Sequence, residues 1–154
     1  MRVTTIHGTR DIRLEERPDL TLHHPTDAIV RMVAACICGS DLWPYRGEDE
    51  IEPGHPIGHE AVGVIEELGA EVTGFSRGDF VIIPFCHCDN TCPVCAKGMQ
   101  SACLNLRFTS GGQGELVRVH QAGGHPAQVT PSQAPDGESH GQGHEGGHDQ
   151  GETE

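Results

Sequence analysis

The sequence predicts a mainly β fold, an irregular β-barrel with short helical turns and a small lobe built on metal ligands, followed by a tail that does not fold. Three observations predict it. Short runs rich in β-branched residues recur at irregular intervals, separated by Gly and Pro, which favours a barrel over a meander open at both edges. Five cysteines are concentrated between Cys86 and Cys103. From Ala122 the composition changes abruptly: residues 122–154 hold eight Gly, four His, three Pro and six acids, and Val129 is their only branched aliphatic side chain. Such a segment buries too little apolar surface to offset the entropy of ordering its backbone. The domain is therefore expected over residues 1–121 and a disordered Gly/His/acid-rich tail over 122–154.

Taken in order, Val3 to Ile6 and Ile12 to Glu16 alternate around His7-Gly8-Thr9-Arg10-Asp11 and predict a hairpin. Ala28 to Cys38 is the longest apolar run and predicts a strand that crosses a sheet. Ser40 is placed to cap a helical turn running to Tyr45. Ala61 to Leu68, with Val62, Val64 and Ile65, predicts a strand ending at Gly69. Gly78-Asp79 turns the chain into a strand over Phe80 to Ile83, Pro93 to Met99 predicts one helical turn, and Glu115 to His120 alternates as a further strand.

The formal net charge is −13, with six of the acids and no Lys or Arg in 122–154. Such a surface argues against nucleic acid, whose phosphates need a basic face. Met1 to Gly8 has no apolar core of signal-peptide length, and Arg31 interrupts the most apolar stretch, so a membrane anchor is not expected and a cytoplasmic location is the default. Seven cysteines in that setting are expected to be thiols or thiolate ligands.

Two groups carry chemistry. Cys38 offers a thiolate, His59 an imidazole and Glu60 a carboxylate that serves either as a ligand or as a neighbour to one, the donor types of a zinc site with an open position. Ser40, two residues from Cys38, is placed to carry a proton from a bound alcohol towards solvent, and Asp41 to accept a hydrogen bond from His59. The second group is Cys86, Cys88, Asp89, Cys92, Cys95 and Cys103.

Cys38-Gly39-Ser40-Asp41 at the end of a long apolar strand, then Pro56-Ile57-Gly58-His59-Glu60, then Gly78-Asp79-Phe80-Val81, resembles the zinc-dependent alcohol dehydrogenases of the medium-chain dehydrogenase/reductase family over roughly residues 1–121. The resemblance implies a GroES-like barrel with a catalytic zinc at Cys38 and His59, Ser40 as proton relay and Glu60 as the family's Glu. It implies a structural zinc held by four cysteines with two, two and seven residues between them; Cys92, Cys95 and Cys103 are in register, and the fourth position falls on Asp89, with Cys88 an equal candidate and Cys86 a remoter one. Trp43 and Tyr45 are candidates for the wall of a cleft that takes a small alcohol or aldehyde, and equally for ordinary packing. His120 stands where the family usually has proline, and the family's third catalytic-zinc ligand has no counterpart.

The family binds NAD or NADP in a second domain, and residues 122–154 offer no such site. The string Gly141-Gln142-Gly143-His144-Glu145-Gly146 matches a dinucleotide fingerprint, but no apolar run leads into it and no helix former follows. His140, His144 and His148, four apart, are expected to bind metal adventitiously at most. A truncated or frame-shifted reading frame is therefore expected, and two classes stay open: the catalytic half of an alcohol dehydrogenase, or a non-catalytic zinc-binding module. Homo-oligomer formation through an unpaired strand edge stays open as well. Hydride transfer requires a nicotinamide held within near-attack distance of the reacting carbon. Calorimetric titration of the 154-residue chain with NAD and NADP is thus expected to show no saturable binding, and an alcohol oxidation assay to read as background; micromolar binding would contradict this.

Overall fold

The computed structural model describes residues 1–123 and 127–128. Among these residues ten strands, all paired antiparallel, form three sheets. β1 (Arg2–Gly8) and β2 (Asp11–Glu16) make the expected hairpin, its bend carried by Thr9 and by Arg10 at φ 60°. β4 (His55–Pro56) pairs with the other edge of β1. The main sheet runs β10-β6-β5-β3-β9, from β3 (Ala28–Ala35), β5 (Ala61–Leu68), β6 (Phe80–Ile83), β9 (Leu116–Val119) and β10 (Ala127–Gln128). β7 (Cys86–His87) and β8 (Arg107–Phe108) form a two-residue ladder at the base of the cysteine lobe. A bridge between Val3 and Gly114 links the hairpin sheet to the approach of β9.

Alternation decides which side of the main sheet is dry. Val30, Ile65, Val81, Ile83, Val117 and Val119 are each 2% exposed or less, and they pack with Ala28, Ala61 and Ala122. Met32, Leu68, Val72 and Phe75 close the core from its margins. Ala122 belongs to this core, its amide donates to the Thr26 carbonyl at 2.8 Å, and Ala127–Gln128 pair with Ile82 and Val81. The fold thus continues past Gln121, where the sequence places the domain boundary. A two-residue ladder is made by backbone groups, so composition does not signal it. The remainder of the segment read as a tail, including the spaced histidines and the Gly141–Gly146 string, lies outside the described residues. Among the described residues no helix is long and apolar enough to cross a membrane.

β3 and β5 form the longest cross-sheet ladder, and two bulges interrupt it. Ile29 faces Glu67 but Val30 faces Ile65, leaving Glu66 unpaired on β5; Met32 faces Gly63 but Ala34 faces Val62, leaving Val33 unpaired on β3. One extra residue on each strand returns the register to its starting value, so Ala35 faces Ala61. The strand stops at Ala35 rather than running to Cys38 as expected, because the chain turns at Cys38 into a 3-10 turn (Gly39–Asp41) and then α1 (Leu42–Arg46). Ser40 lies inside that turn instead of capping it. Cys38 is the cap residue, and Asp41, the last residue of the turn, accepts the Cys38 amide with its carboxylate at 2.9 Å.

Gly58 precedes His59 at φ +93°, and a Cβ there would meet the Gln113 amide nitrogen at 2.6 Å. Gly58→Ala is expected to cost roughly 1–3 kcal/mol of stability, read as a lower denaturation midpoint. Gly39→Ala, whose Cβ would meet nothing within 4 Å, is expected to stay within about 0.5 kcal/mol.

Candidate metal centres

The first centre forms where β3 and β5 end. Beyond the Ala35–Ala61 pair the register continues: the Cys36 amide donates to the Glu60 carbonyl at 3.1 Å, although neither residue is in a strand. Two residues on, Cys38 opens the 3-10 turn, which carries Ser40 and Asp41 back over His59. One donor atom each from Cys38, His59 and Glu60 lies within 4.8 Å of the other two. Asp41 Oδ1 stands 3.4 Å from His59 Nδ1 and Ser40 Oγ 3.3 Å from His59 Nε2. The imidazole is therefore held from both sides. Its ring also meets Phe85 edge to face, with centroids 4.8 Å apart, and Phe85 in turn leans on Phe108.

The electrostatics separate the two thiols at this corner. The Ser40 hydroxyl, then the Ser40 backbone and His59, lower the pKa of Cys38. Cys36, exposed, has its pKa raised by the bond from its Sγ to Glu60 Oε2 at 3.0 Å, with some desolvation. Sequence reasoning missed both Cys36 and Phe85. Counting one step on from the Ala35–Ala61 pair brings Cys36 opposite Glu60, but that β3 pairs with β5 in this register is not written in the local sequence pattern. Of the aromatic candidates, Tyr45 lines a groove of about 400 Å³ with Ile37, Leu42 and Ile57, next to Asp41. Trp43 is about half exposed and does not line it.

The second centre is the lobe. Donor atoms of Asp89, Cys92, Cys95 and Cys103 lie within 4.8 Å of one another, and Cys88 and Cys86 are outside that set. Cys88 is buried in the same cluster, but its Sγ turns to Asn90 Oδ1 at 3.3 Å. Asp89 is fixed instead. Its Oδ1 accepts the amides of Thr91 and Cys92 at 2.9 and 3.0 Å, and its Oδ2 accepts the Asn105 side-chain amide. These bonds, the one from Asn105 foremost, hold its pKa far below the usual carboxylate range.

Amides of Cys95 and Asn105 also point at the sulfurs of Cys92 and Cys103, at 3.4 and 3.3 Å. The Cys95 amide is the main reason that the Cys92 thiol ionises at about 7, whereas burial pushes Cys95 up. The donors suit zinc: sulfurs at about 2.3 Å on a tetrahedral ion stand about 3.8 Å apart, and Cys92 Sγ is 4.0 Å from Cys103 Sγ. The lobe's interior is four cysteines with Val94 and Leu106 against them, too little apolar surface to hold a loop by itself. At its base, buried His87 lies 2.7 Å from Thr109 Oγ1, which donates to the Pro84 carbonyl at 2.6 Å. Burial lowers the His87 pKa to about 4, so the ring is neutral at neutral pH.

The opposite shifts of the two thiols at the first corner have a measurable consequence, because the thiolate is the nucleophile. In metal-free protein near pH 7, an alkylating reagent is expected to modify Cys38 faster than the more exposed Cys36. Raising the pH should close that gap as both thiols ionise, and Ser40→Ala should slow Cys38 by removing the hydroxyl that favours its thiolate. Peptide mass mapping reads both rates; a faster Cys36 would contradict the assignment.

Comparison with known proteins gives these arrangements a family. The family model for the alcohol dehydrogenase GroES-like domain matches residues 24–129. Zinc-type alcohol dehydrogenase B of Aspergillus flavus is 31% identical over 142 residues, covering 89% of this chain and 32% of that protein. Formaldehyde dismutase of Pseudomonas putida is 35% identical over 136 residues, covering 75% of this chain and 34% of that protein. Among solved structures, alcohol dehydrogenase TADH from Thermus sp. ATN1 matches with a TM-score of 0.79 at 32% identity, over 85% of this chain and 40% of that one. The chain spans about a third of the length of these curated relatives. On the match over residues 24–129, the chain belongs to the alcohol dehydrogenase GroES-like domain family.

Proposed function

We propose that this chain carries the alcohol-handling, zinc-binding part of a zinc-dependent alcohol dehydrogenase. In this reading Cys38, His59 and Glu60 hold a catalytic zinc, and Asp89, Cys92, Cys95 and Cys103 hold a structural one. The observation that carries it is the convergence of Cys38, Ser40, Asp41, His59 and Glu60 at one corner of the main sheet. A zinc ion held there with an open position supplies a Lewis acid that makes an alcohol hydroxyl easier to deprotonate.

The protein's own groups do the rest. The Ser40 hydroxyl and His59 favour the Cys38 thiolate, the form in which a sulfur ligates. Asp41, beside His59 Nδ1, leaves Nε2 as the nitrogen turned towards the donor set. Ser40 Oγ, 3.3 Å from that Nε2, is the hydroxyl positioned to take the alcohol's proton and pass it to solvent. Tyr45, Ile37, Leu42 and Ile57 give the nearby groove an apolar wall suited to a small alcohol or aldehyde. The hydride acceptor in this reading is NAD or NADP, and no residue here is assigned to it. The lobe plays no part in the chemistry: four protein donors leave no open position, and its zinc stabilises the loop from Asp89 to Cys103.

Zinc analysis separates the two assignments. Protein purified without added metal is expected to hold a tight ion and a second that mild chelation removes first. His59→Ala should abolish the labile ion alone, and Cys95→Ser the tight one. Within the lobe, Asp89→Asn is expected to weaken zinc by about tenfold or more, and Cys88→Ser to leave it in place; the reverse ranking would move the fourth donor to Cys88. If His59→Ala leaves zinc content and its chelation profile unchanged, the open site does not form and the non-catalytic zinc module is the better reading.

A further inference from the structure

We propose that Cys36 is a positioning residue for the site at Cys38, His59 and Glu60: its thiol donates a hydrogen bond to Glu60 Oε2, holding the carboxylate in place with its other oxygen free to meet a metal ion. This inference rests on the reading of that site given above.

The geometry begins with the backbone. The register of β3 and β5 carries on one step past Ala35 and Ala61, and the amide of Cys36 bonds the carbonyl of Glu60 at 3.1 Å. Directly opposed residues on antiparallel chains bring their side chains into contact. Here that contact is Cys36 Sγ to Glu60 Oε2 at 3.0 Å. Glu60 is exposed, and a free glutamate on a surface samples many rotamers that ligation would have to freeze. A donor on one carboxylate oxygen removes much of that freedom in advance while leaving lone pairs on the other, the usual arrangement behind a metal-bound carboxylate. Cys36 itself is outside the set of donor atoms that converge within 4.8 Å. Its sulfur therefore acts through Glu60 rather than on the ion.

The test uses the full chain with zinc left in the lobe and the open site emptied by mild chelation, titrated with cobalt(II) and followed by absorbance. Cys36→Ala is expected to weaken cobalt binding by about tenfold, the usual size for a lost partner behind a ligand. Cys36→Ser, which restores a donor, should bind within about threefold of the unaltered protein. In a Glu60→Ala background the Cys36→Ala change should have no further effect, because the group it positions is gone; a merely structural role for Cys36 would not vanish there. Should Cys36→Ala fold poorly, Cys36→Val keeps the bulk without the donor. Wild-type affinity in the Ala or Val variant overturns the proposal, as does a loss that persists without Glu60. Loss of thiolate-to-cobalt charge-transfer absorption in Cys36→Ser also overturns it, since Cys36 would then be a ligand. If cobalt does not enter the unaltered protein at all, the assignment of Cys38, His59 and Glu60 fails first, and this inference with it.

Discussion

The pairing of β3 with β5 is the constraint on which the rest of the molecule depends. It buries Val30 and Ile65 in the core, gives β9 one edge and β6 the other, and ends where the donor groups are needed. Cys36 and Cys38 leave one strand as His59 and Glu60 enter the other, so their separation is fixed by backbone hydrogen bonds and not by the flexible side chains themselves. Gly58 serves the same end, since only a residue without Cβ lets the chain pass the Gln113 amide just before His59.

The two centres are held in different ways. The corner at His59 is pre-set by the sheet, with Asp41, Ser40 and Phe85 fixing the ring. The lobe has no such frame: β7 and β8 pin its base, and above them the thiols are most of what there is to pack. A metal ion held in the lobe would substitute for a hydrophobic core, whereas one held at the corner would enter a structure already built. Asp89 fits this contrast. A carboxylate is a harder donor than a thiolate, and two backbone amides with Asn105 secure it where a cysteine would rely on the ion.

Much of this was legible in the sequence, and the parts that were not share a cause. The strands Ala61–Leu68 and Phe80–Ile83 fall where alternation and β-branched residues put them, because their burial pattern is local information. The motif around Cys38 and the one around His59 could be named as donors. The end of β3 was misplaced by three residues because an apolar run does not record where the chain turns, and Asp41's bond to the Cys38 amide, which helps set that turn, is not an apolar signal. Asp89 and Cys88 were equally good candidates by spacing and softness; the structure brings Asp89 to the other three donors because the Thr91 and Cys92 amides hold its carboxylate on their side. Cys36 went unnoticed since its partner is decided by the pairing of β3 with β5, which no local pattern records, and that register is kept by two residues outside the ladder whose offsets cancel.

Those two residues, Val33 and Glu66, leave a mark on how this fold can change over evolutionary time. Each bulge shifts the alignment by one and the other cancels it, so the donors arrive opposite one another only while both are kept or both are lost. Individual side chains along β3 and β5 are comparatively free to be exchanged for others of like polarity. A single codon deleted from one strand alone would swing the following side chains to the opposite face. Lineages carrying this corner should therefore vary in spelling far more readily than in length, and a deletion in one strand should survive only alongside a matching deletion in the other.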